Sequence, residues 1–340
     1  LTKYGFKKVL ILMIVIVLTL GTVVGCSPKN EIGQQTTGNE NIEKVKIKVT
    51  TLKGPTGMGM AELMEKNELG ETDLDYEFTL LGSPDDLVGK ILSGEVDVAA
   101  VPTNLALVLY NRTQGAIQLA AVNTLGVLYV VENGASINSV EDLRGQSIYS
   151  SGKGATPDFV FNYILNGNNL TPDKDVIIDY KLQHSELAAA LVAGDVKMGL
   201  LPQPHVTTAL MQNPNLRIAL DITAEWNKLT GDRQLPMGSI IVQKEFAQNN
   251  KEALNIFLDE YKQSVSFVNE NNEEASELIE KFEILPKAAI AKKAIPLSNI
   301  VYIDAQDAKA YLEEFYQVLF DFDQKSIGGK LPDEGYYYKK

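Results

Sequence analysis

The sequence predicts an α/β protein of two lobes, each a sheet flanked by helices. Three observations carry this. Strand-like and helix-like segments alternate from Val45 onward; the alternation restarts after about Asp142; and part of the first half aligns on the second at an offset of one hundred residues. Alternating βα units are the grammar of a parallel sheet, because a parallel neighbour is reached only through a crossover. A chain of 340 residues is long enough for two lobes that each bury a core.

In the first half, 46–50 reads as a strand by alternation and 57–66 as a helix. A strand over 74–81, a helix over 85–93, a buried strand over 96–101 and a helix over 104–111 follow. The stretch 117–131 (IQLAAVNTLGVLYVV) is too long for one average strand and carries Asn123-Thr124-Leu125-Gly126 in its middle. It is expected to be a strand, a hinge and a second strand that enters the other lobe. The second half repeats the pattern with strands over 147–150, 176–182 and 196–201 and helices over 157–165, 186–193 and 205–211. A strand over 216–222 comes next. Leu235-Pro236-Met237-Gly238 then precedes a strand over 239–243, a second crossing back to the first lobe. The remainder predicts helices over 251–269, 273–282, 286–293 and 305–322, with apolar stripes facing a core and Glu-rich outer faces.

The offset of one hundred rests on residues as well as pattern. DLVGKILSGEVDVAAVP (86–102) aligns without gaps on ELAAALVAGDVKMGLLP (186–202). Leu87/Leu187, Gly94/Gly194, Val96/Val196 and Pro102/Pro202 are identical. In the same register, Lys53-Gly54-Pro55-Thr56 matches Lys153-Gly154-Ala155-Thr156. Two unrelated helix–turn–strand units could share the C-cap glycine alone; the paired Lys-Gly-x-Thr loops make a pseudo-repeat the better reading. In open α/β sheets ligands bind outside the carboxyl ends of the strands. If the two lobes face each other, their loops converge on one cleft.

The composition narrows the function. Net charge −13 argues against nucleic acid, which needs a basic face to neutralise phosphates. One cysteine excludes a disulfide framework and a cysteine-based zinc site, and two histidines leave little for metal or triad chemistry. Lys3, Lys7 and Lys8 precede an apolar run from Val9 to Leu20, shorter than the ~20 residues of a stable membrane span. Val23-Val24-Gly25-Cys26 looks like a bacterial lipobox, with Cys26 the lipidated residue. Residues 1–25 are therefore expected to be a lipoprotein signal peptide; their removal would take the charge from −13 to −16. Residues 26–44 would form a polar tether with a reach of ~25 Å. Lobe 1 is expected to comprise 45–125 with 236–340, and lobe 2 126–235.

This order resembles the type II extracytoplasmic solute-binding proteins of ABC importers, in the nitrate/sulfonate/taurine and thiamine-precursor branch. The resemblance is carried by SGEVDVAAVPTNLALVL (93–109) and INSVEDLRGQSIYSSGKGATPDFVF (137–161), and more weakly by LPMGSIIVQKEF (235–246) and the terminal LPDEGYYY. It implies the type II periplasmic-binding-protein fold, two βα lobes joined by a two-strand hinge with a helical C-terminus. It also implies a monomer held outside a bacterial membrane by a lipid, palmitate included. Such a receptor captures a small polar solute and delivers it to permease and ATPase subunits. No catalytic residue, cofactor, metal or nucleic acid is expected. An enzyme of the same fold acting on a small precursor, or a ligand-sensing module, are the alternatives.

The family places ligand contacts at the two Lys-Gly-x-Thr loops, which carries the role to Thr56, Gly57, Ser151 and Thr156. Gly54 and Met58 belong to the same first loop. Glycine lets backbone N–H groups approach a ligand, and a helix N-terminus favours an anion. Lys53 and Lys153 could pair with an anion or stand in solvent. Thr103, Asn104, Gln203 and His205 follow the third strand of each repeat and offer neutral polar groups at the cleft rim. Asn123 and Met237 lie in the hinge strands. His184, on a βα loop, is a further candidate; Trp226 could wall the site or pack. The Gly145–Gly154 stretch is no P-loop: its glycine spacing is wrong, and Gly154 stands where Ser or Thr is required. An anion such as a sulfonate or nitrate and a pyrimidine both remain open.

Overall fold

The computed structural model describes residues 44–231 and 233–340. The expected signal peptide, Cys26 and nearly all of the expected tether lie outside the described residues. The first half runs β1 (Lys46–Leu52), α1 (Pro55–Met58), α2 (Ala61–Glu68), β2 (Asp75–Leu81), α3 (Pro84–Leu92), β3 (Val98–Pro102), α4 (Thr103–Arg112) and β4 (Ile117–Thr124). The second runs β5 (Leu128–Asn133), β6 (Ser147–Tyr149), α5 (Thr156–Gly167), β7 (Ile177–Asp179), α6 (His184–Ala193), β8 (Met198–Pro202), α7 (His205–Gln212), β9 (Leu216–Asp221) and α8 (Ile222–Thr230). The chain then passes through β10 (Gly238–Gln243), α9 (Lys244–Asn249), α10 (Lys251–Glu270), α11 (Asn272–Lys281), α12 (Ala288–Ala294), β11 (Ile300–Asp304) and α13 (Ala305–Phe322).

These strands form two sheets, ordered β11-β4-β10-β3-β1-β2 and β7-β6-β8-β5-β9. In each, the βα units supply three parallel strands: β2-β1-β3 in one and β7-β6-β8 in the other. The fourth is the strand that has just crossed from the other lobe, and it runs antiparallel. The sheets are therefore mixed, where βα alternation alone suggested parallel. A crossing strand enters from the end at which the βα loops gather, so it runs against the strands that finish there. The repeat is visible in the register: Pro102 of β3 faces Gly238 of β10, and Pro202 of β8 faces Leu128 of β5.

The predicted helix over 57–66 is two helices, α1 and α2. A Cβ on Gly59 would lie 3.0 Å from Tyr261 Oη, so α10 presses on the chain at that point. Ser264 of α10 bridges the break: its hydroxyl donates to Gly59 O at 2.7 Å and accepts from Leu63 N at 3.1 Å. One apolar layer of lobe 1, with Ile47, Val49, Leu63 and Phe257, lies under α10 and α11. A second core runs through both lobes and includes Val101, Leu119, Ile148, Phe159 and Phe315. Trp226, only 1% exposed, belongs to it. Its ring sits 5.1 Å from Tyr163 and 6.0 Å from Phe315 of α13, so it packs and does not wall the cleft. The same helix meets lobe 2 again through Phe159–Phe322 and the Arg233–Glu314 ion pair.

The two crossings lie side by side between the lobes. Met237 N donates to Thr124 O at 2.8 Å, and Leu125 N to Asn299 O at 3.0 Å. A Cβ on Gly126 would fall 1.9 Å from Thr223 Oγ1, far inside contact distance. Gly126→Ala is therefore expected to force α8 away from the first crossing and to cost about 1–3 kcal/mol. The check is chemical denaturation: the midpoint falls, and Thr223→Gly placed on top restores most of it.

Candidate functional site

A cavity of about 440 Å³ opens between the lobes, at the carboxyl ends of β1, β3, β6 and β8. Lys53, Pro55 and Thr56 border it from lobe 1, and Gly152, Ala155 and Thr156 from lobe 2, so the two Lys-Gly-x-Thr loops face one space. The lobes also touch directly. Thr156 Oγ1 donates to Asn104 Oδ1 at 2.7 Å, and Asn104 Nδ2 donates to Ser326 O at 3.2 Å. A Cβ on Gly54 would sit 3.7 Å from Pro204 Cδ of the opposite lobe.

Seven of the residues singled out in the sequence line this cavity: Lys53, Thr56, Thr156, His184, Gln203, His205 and Met237. Others stand outside the lining and hold it in place. Asn123 is fully buried, and its Nδ2 donates to Thr56 O at 3.2 Å. Thr103 Oγ1 bonds Ser239 Oγ at 3.0 Å. Gly57 and Met58 turn into the lobe 1 interior, where a Cβ on Gly57 would meet Leu52 O at 2.5 Å. Asn104 and Ser151 are buried, and each bonds a residue that lines the cavity. Lys153 is not among the lining residues; its ammonium lies over the Tyr180 ring, 5.3 Å from the centroid. That contact follows from the loop's anchor. Asp158, a buried carboxylate, accepts from Gly154 N at 2.8 Å, from Asn162 Nδ2 and from Tyr180 Oη.

Ser83, Pro84 and Gln183 also line it and are not among the sequence candidates. Ser83-Pro84 and Gln183-His184 open α3 and α6 and are equivalent at the same offset of one hundred, which is the signal that could have found them.

The charge of the lining is one-sided. The protein carries 44 acidic residues, yet none of the 22 lining residues is Asp or Glu, and Lys53 supplies the charged side chain. Four helices, α3, α5, α6 and α7, present their first residues to the cavity. They bring the positive ends of their dipoles, although prolines and caps take up many of their N–H groups: Pro84 and Pro157 have none, and Asp85 N and Thr207 N are bonded to Ser83 Oγ and Gln203 Oε1. Gln203 adds a donor. It is 1% exposed, and its Oε1 accepts from Thr207 Oγ1 at 2.8 Å and from Thr207 N at 3.3 Å. Those bonds orient the amide, and Nε2 finds no hydrogen-bond partner among the described residues.

The two histidines of the chain stand together in the lining, rings stacked 5.5 Å apart at 27°. Ser151 Oγ bonds His184 Nδ1. Burial pushes the His184 pKa down to about 4, and neighbouring His205 adds to the shift; burial lowers His205 as well. Both rings are therefore neutral at neutral pH.

A family model described as menaquinone biosynthesis matches residues 60–325. The chain belongs to that family. Its match takes in Thr156, His184, Gln203 and His205 but begins after Lys53 and Thr56. Among solved structures, an ABC transporter protein of Parabacteroides distasonis is 25% identical, with a TM-score of 0.73 over 87% of this chain and 99% of that one. The periplasmic aliphatic sulphonate binding protein of Escherichia coli superposes with a TM-score of 0.69 at 16% identity, covering 86% and 92% of the two chains. The fold is thus the type II periplasmic-binding-protein fold. YtlA of Bacillus subtilis, named as a candidate binding protein, is 25% identical over 142 residues, 40% of this chain. The match spans 42% of that relative's length.

Proposed function

We propose that the protein is a lipid-anchored extracytoplasmic receptor that captures a small acidic solute between its lobes and passes it to the permease and ATPase subunits of an ABC importer. The observation that carries this reading is the carboxylate-free lining of the cleft, with Lys53 and four helix N-termini turned to it, in an otherwise acidic chain. An anion in the cleft would accept from Lys53 on lobe 1 and from the Gln203 amide on lobe 2, while Pro55, Val127, Pro202 and Met237 would cover its apolar part. A solute bridging both lobes binds the closed arrangement better than the open one, and that difference drives closure about the two crossings. The sulphonate-binding neighbour and the candidate binding protein YtlA support a receptor over a catalyst.

An enzyme acting on such a solute is the second reading. The Ser151–His184 bond beside the cleft and the family's description favour it. The test is native mass spectrometry of the purified protein, followed by release and identification of any small molecule it carries. A receptor is expected to yield one acidic molecule per chain that incubation with fresh protein leaves unchanged. Conversion of that molecule on incubation would overturn the receptor reading in favour of the enzyme.

A further inference from the structure

We propose that the stacked His184–His205 pair makes solute capture proton-linked, one proton entering the cleft with each anion. This rests on the anion reading of the cleft and adds its regulation. The geometry supplies what such linkage needs. The two rings stack inside the cavity wall, and among the described residues no protein group bonds Nε2 of His184 or either ring nitrogen of His205. Ser151 Oγ serves both protonation states of His184. A hydroxyl can donate to a neutral Nδ1 and can turn to accept from a protonated one. The rings are close enough that a charge on one opposes a charge on the other, so the pair takes a single proton.

The surroundings leave the anion as the group that decides the charge. On α6 itself, Glu186 is engaged with Gln183 N. Lys181 pairs with Asp179 ahead of that helix, and Lys153 lies over Tyr180, which bonds Asp158. On β9, next to α7, Arg217 pairs with Glu132 and Asp221 caps α8. On α12, which also packs on α7, Lys292 pairs with Glu273, and Lys293 is exposed. Lys53 is the charged side chain that shares the cavity, and burial, with His205 beside His184, keeps the empty pair neutral. With no carboxylate in the lining, burial holds the pair's affinity for protons low, as the lowered His184 value reflects. A bound anion reverses that balance and raises the pair's pKa.

The sign follows from linkage. A pKa raised in the complex means that binding is favoured below the complex's value and is lost as pH rises through it. Between the titration of the empty pair and that of the complex, the association constant falls up to tenfold per pH unit.

The chain's two histidines are this pair, so histidine-selective labelling gives two ring resonances to follow. The probes are propanesulfonate and benzenesulfonate, which stay ionised throughout, so any pH dependence belongs to the protein. His205→Gln assigns the signals. Without probe, both rings are expected to titrate below the ordinary histidine range. With saturating probe, one should move up by about one pH unit or more, and calorimetry in buffers of different ionisation heat should count up to one proton taken up per probe. A probe that binds while both titrations stay unchanged would overturn the proton linkage and leave the anion reading standing. If neither probe gives heat or moves either resonance, the anion reading fails, and this proposal fails with it.

Discussion

Glu132→Gln is expected to destabilise lobe 2 by about 2–3 kcal/mol, near the low end of what breaking a buried ion pair costs. Glu132 is 2% exposed at the end of β5. Its carboxylate accepts from Ser136 N, Ser136 Oγ, Ile137 N and the Arg217 guanidinium. Arg217 also donates to Gly134 O and Ile137 O, so the pair fastens the turn after β5 to β9. Removing the acid leaves a partly buried guanidinium without its counter-charge and takes one acceptor from the turn. Burial opposes ionisation of Glu132, but Ile137 N, Ser136 and Arg217 outweigh it and hold the carboxyl below its ordinary value. A depressed acid contributes stability that is present above the unfolded carboxylate range and is lost as pH falls through the folded value. Thermal melts across acidic pH are the check. The wild type should lose stability from about pH 4 downward, the variant should lose less over that window, and at neutral pH it should melt about 5 °C lower. Equal melting points at neutral pH would show that the pair contributes nothing.

Gln203→Glu should abolish capture of an anionic solute, with a loss of about 100-fold or more in affinity. The substitution is nearly isosteric. The oxygen that accepts from Thr207 remains, and the unpartnered Nε2 becomes an oxygen. A buried donor beside the cavity is thereby replaced by an acceptor and, where ionised, by a like charge. Because the side chain is 1% exposed, a carboxyl there costs folding stability as well unless it stays protonated. Affinity measured by calorimetry, with the melting point as control, separates the two. An anion that binds the variant as tightly as the wild type would remove Gln203 from the site.

Much of this architecture is legible in the residues. The offset of one hundred between Lys53-Gly54-Pro55-Thr56 and Lys153-Gly154-Ala155-Thr156 anticipates two loops facing one cavity. The apolar run broken by Asn123–Gly126 anticipates β4, a crossing and β5. Other elements are hidden for identifiable reasons. The sequence predicts a strand ending at 222 and no element over 223–234, where α8 lies, although Asp221 is a readable N-cap that accepts from Thr223 N and Ala224 N. β11 is five residues at a sheet edge, Ile300 buried and the other four half-buried, too short to signal by alternation. Lys153 differs from Lys53 because Tyr180, a long-range neighbour, takes its ammonium, and local sequence does not encode that contact. The His184–His205 stack likewise joins two loops that only the tertiary fold brings together. The absence of acids from the cavity lining could not be read from net charge, which describes the outer surface.

The most direct test of an anion-selective cleft is a calorimetric titration of the purified protein with benzenesulfonate and, in parallel, with methyl phenyl sulfone, which keeps the ring and sulfur oxygens without the charge. The sulfonate is expected to bind saturably at one per chain, and the sulfone to give no measurable heat. Equal binding of the sulfone, or no binding of either, would contradict the account.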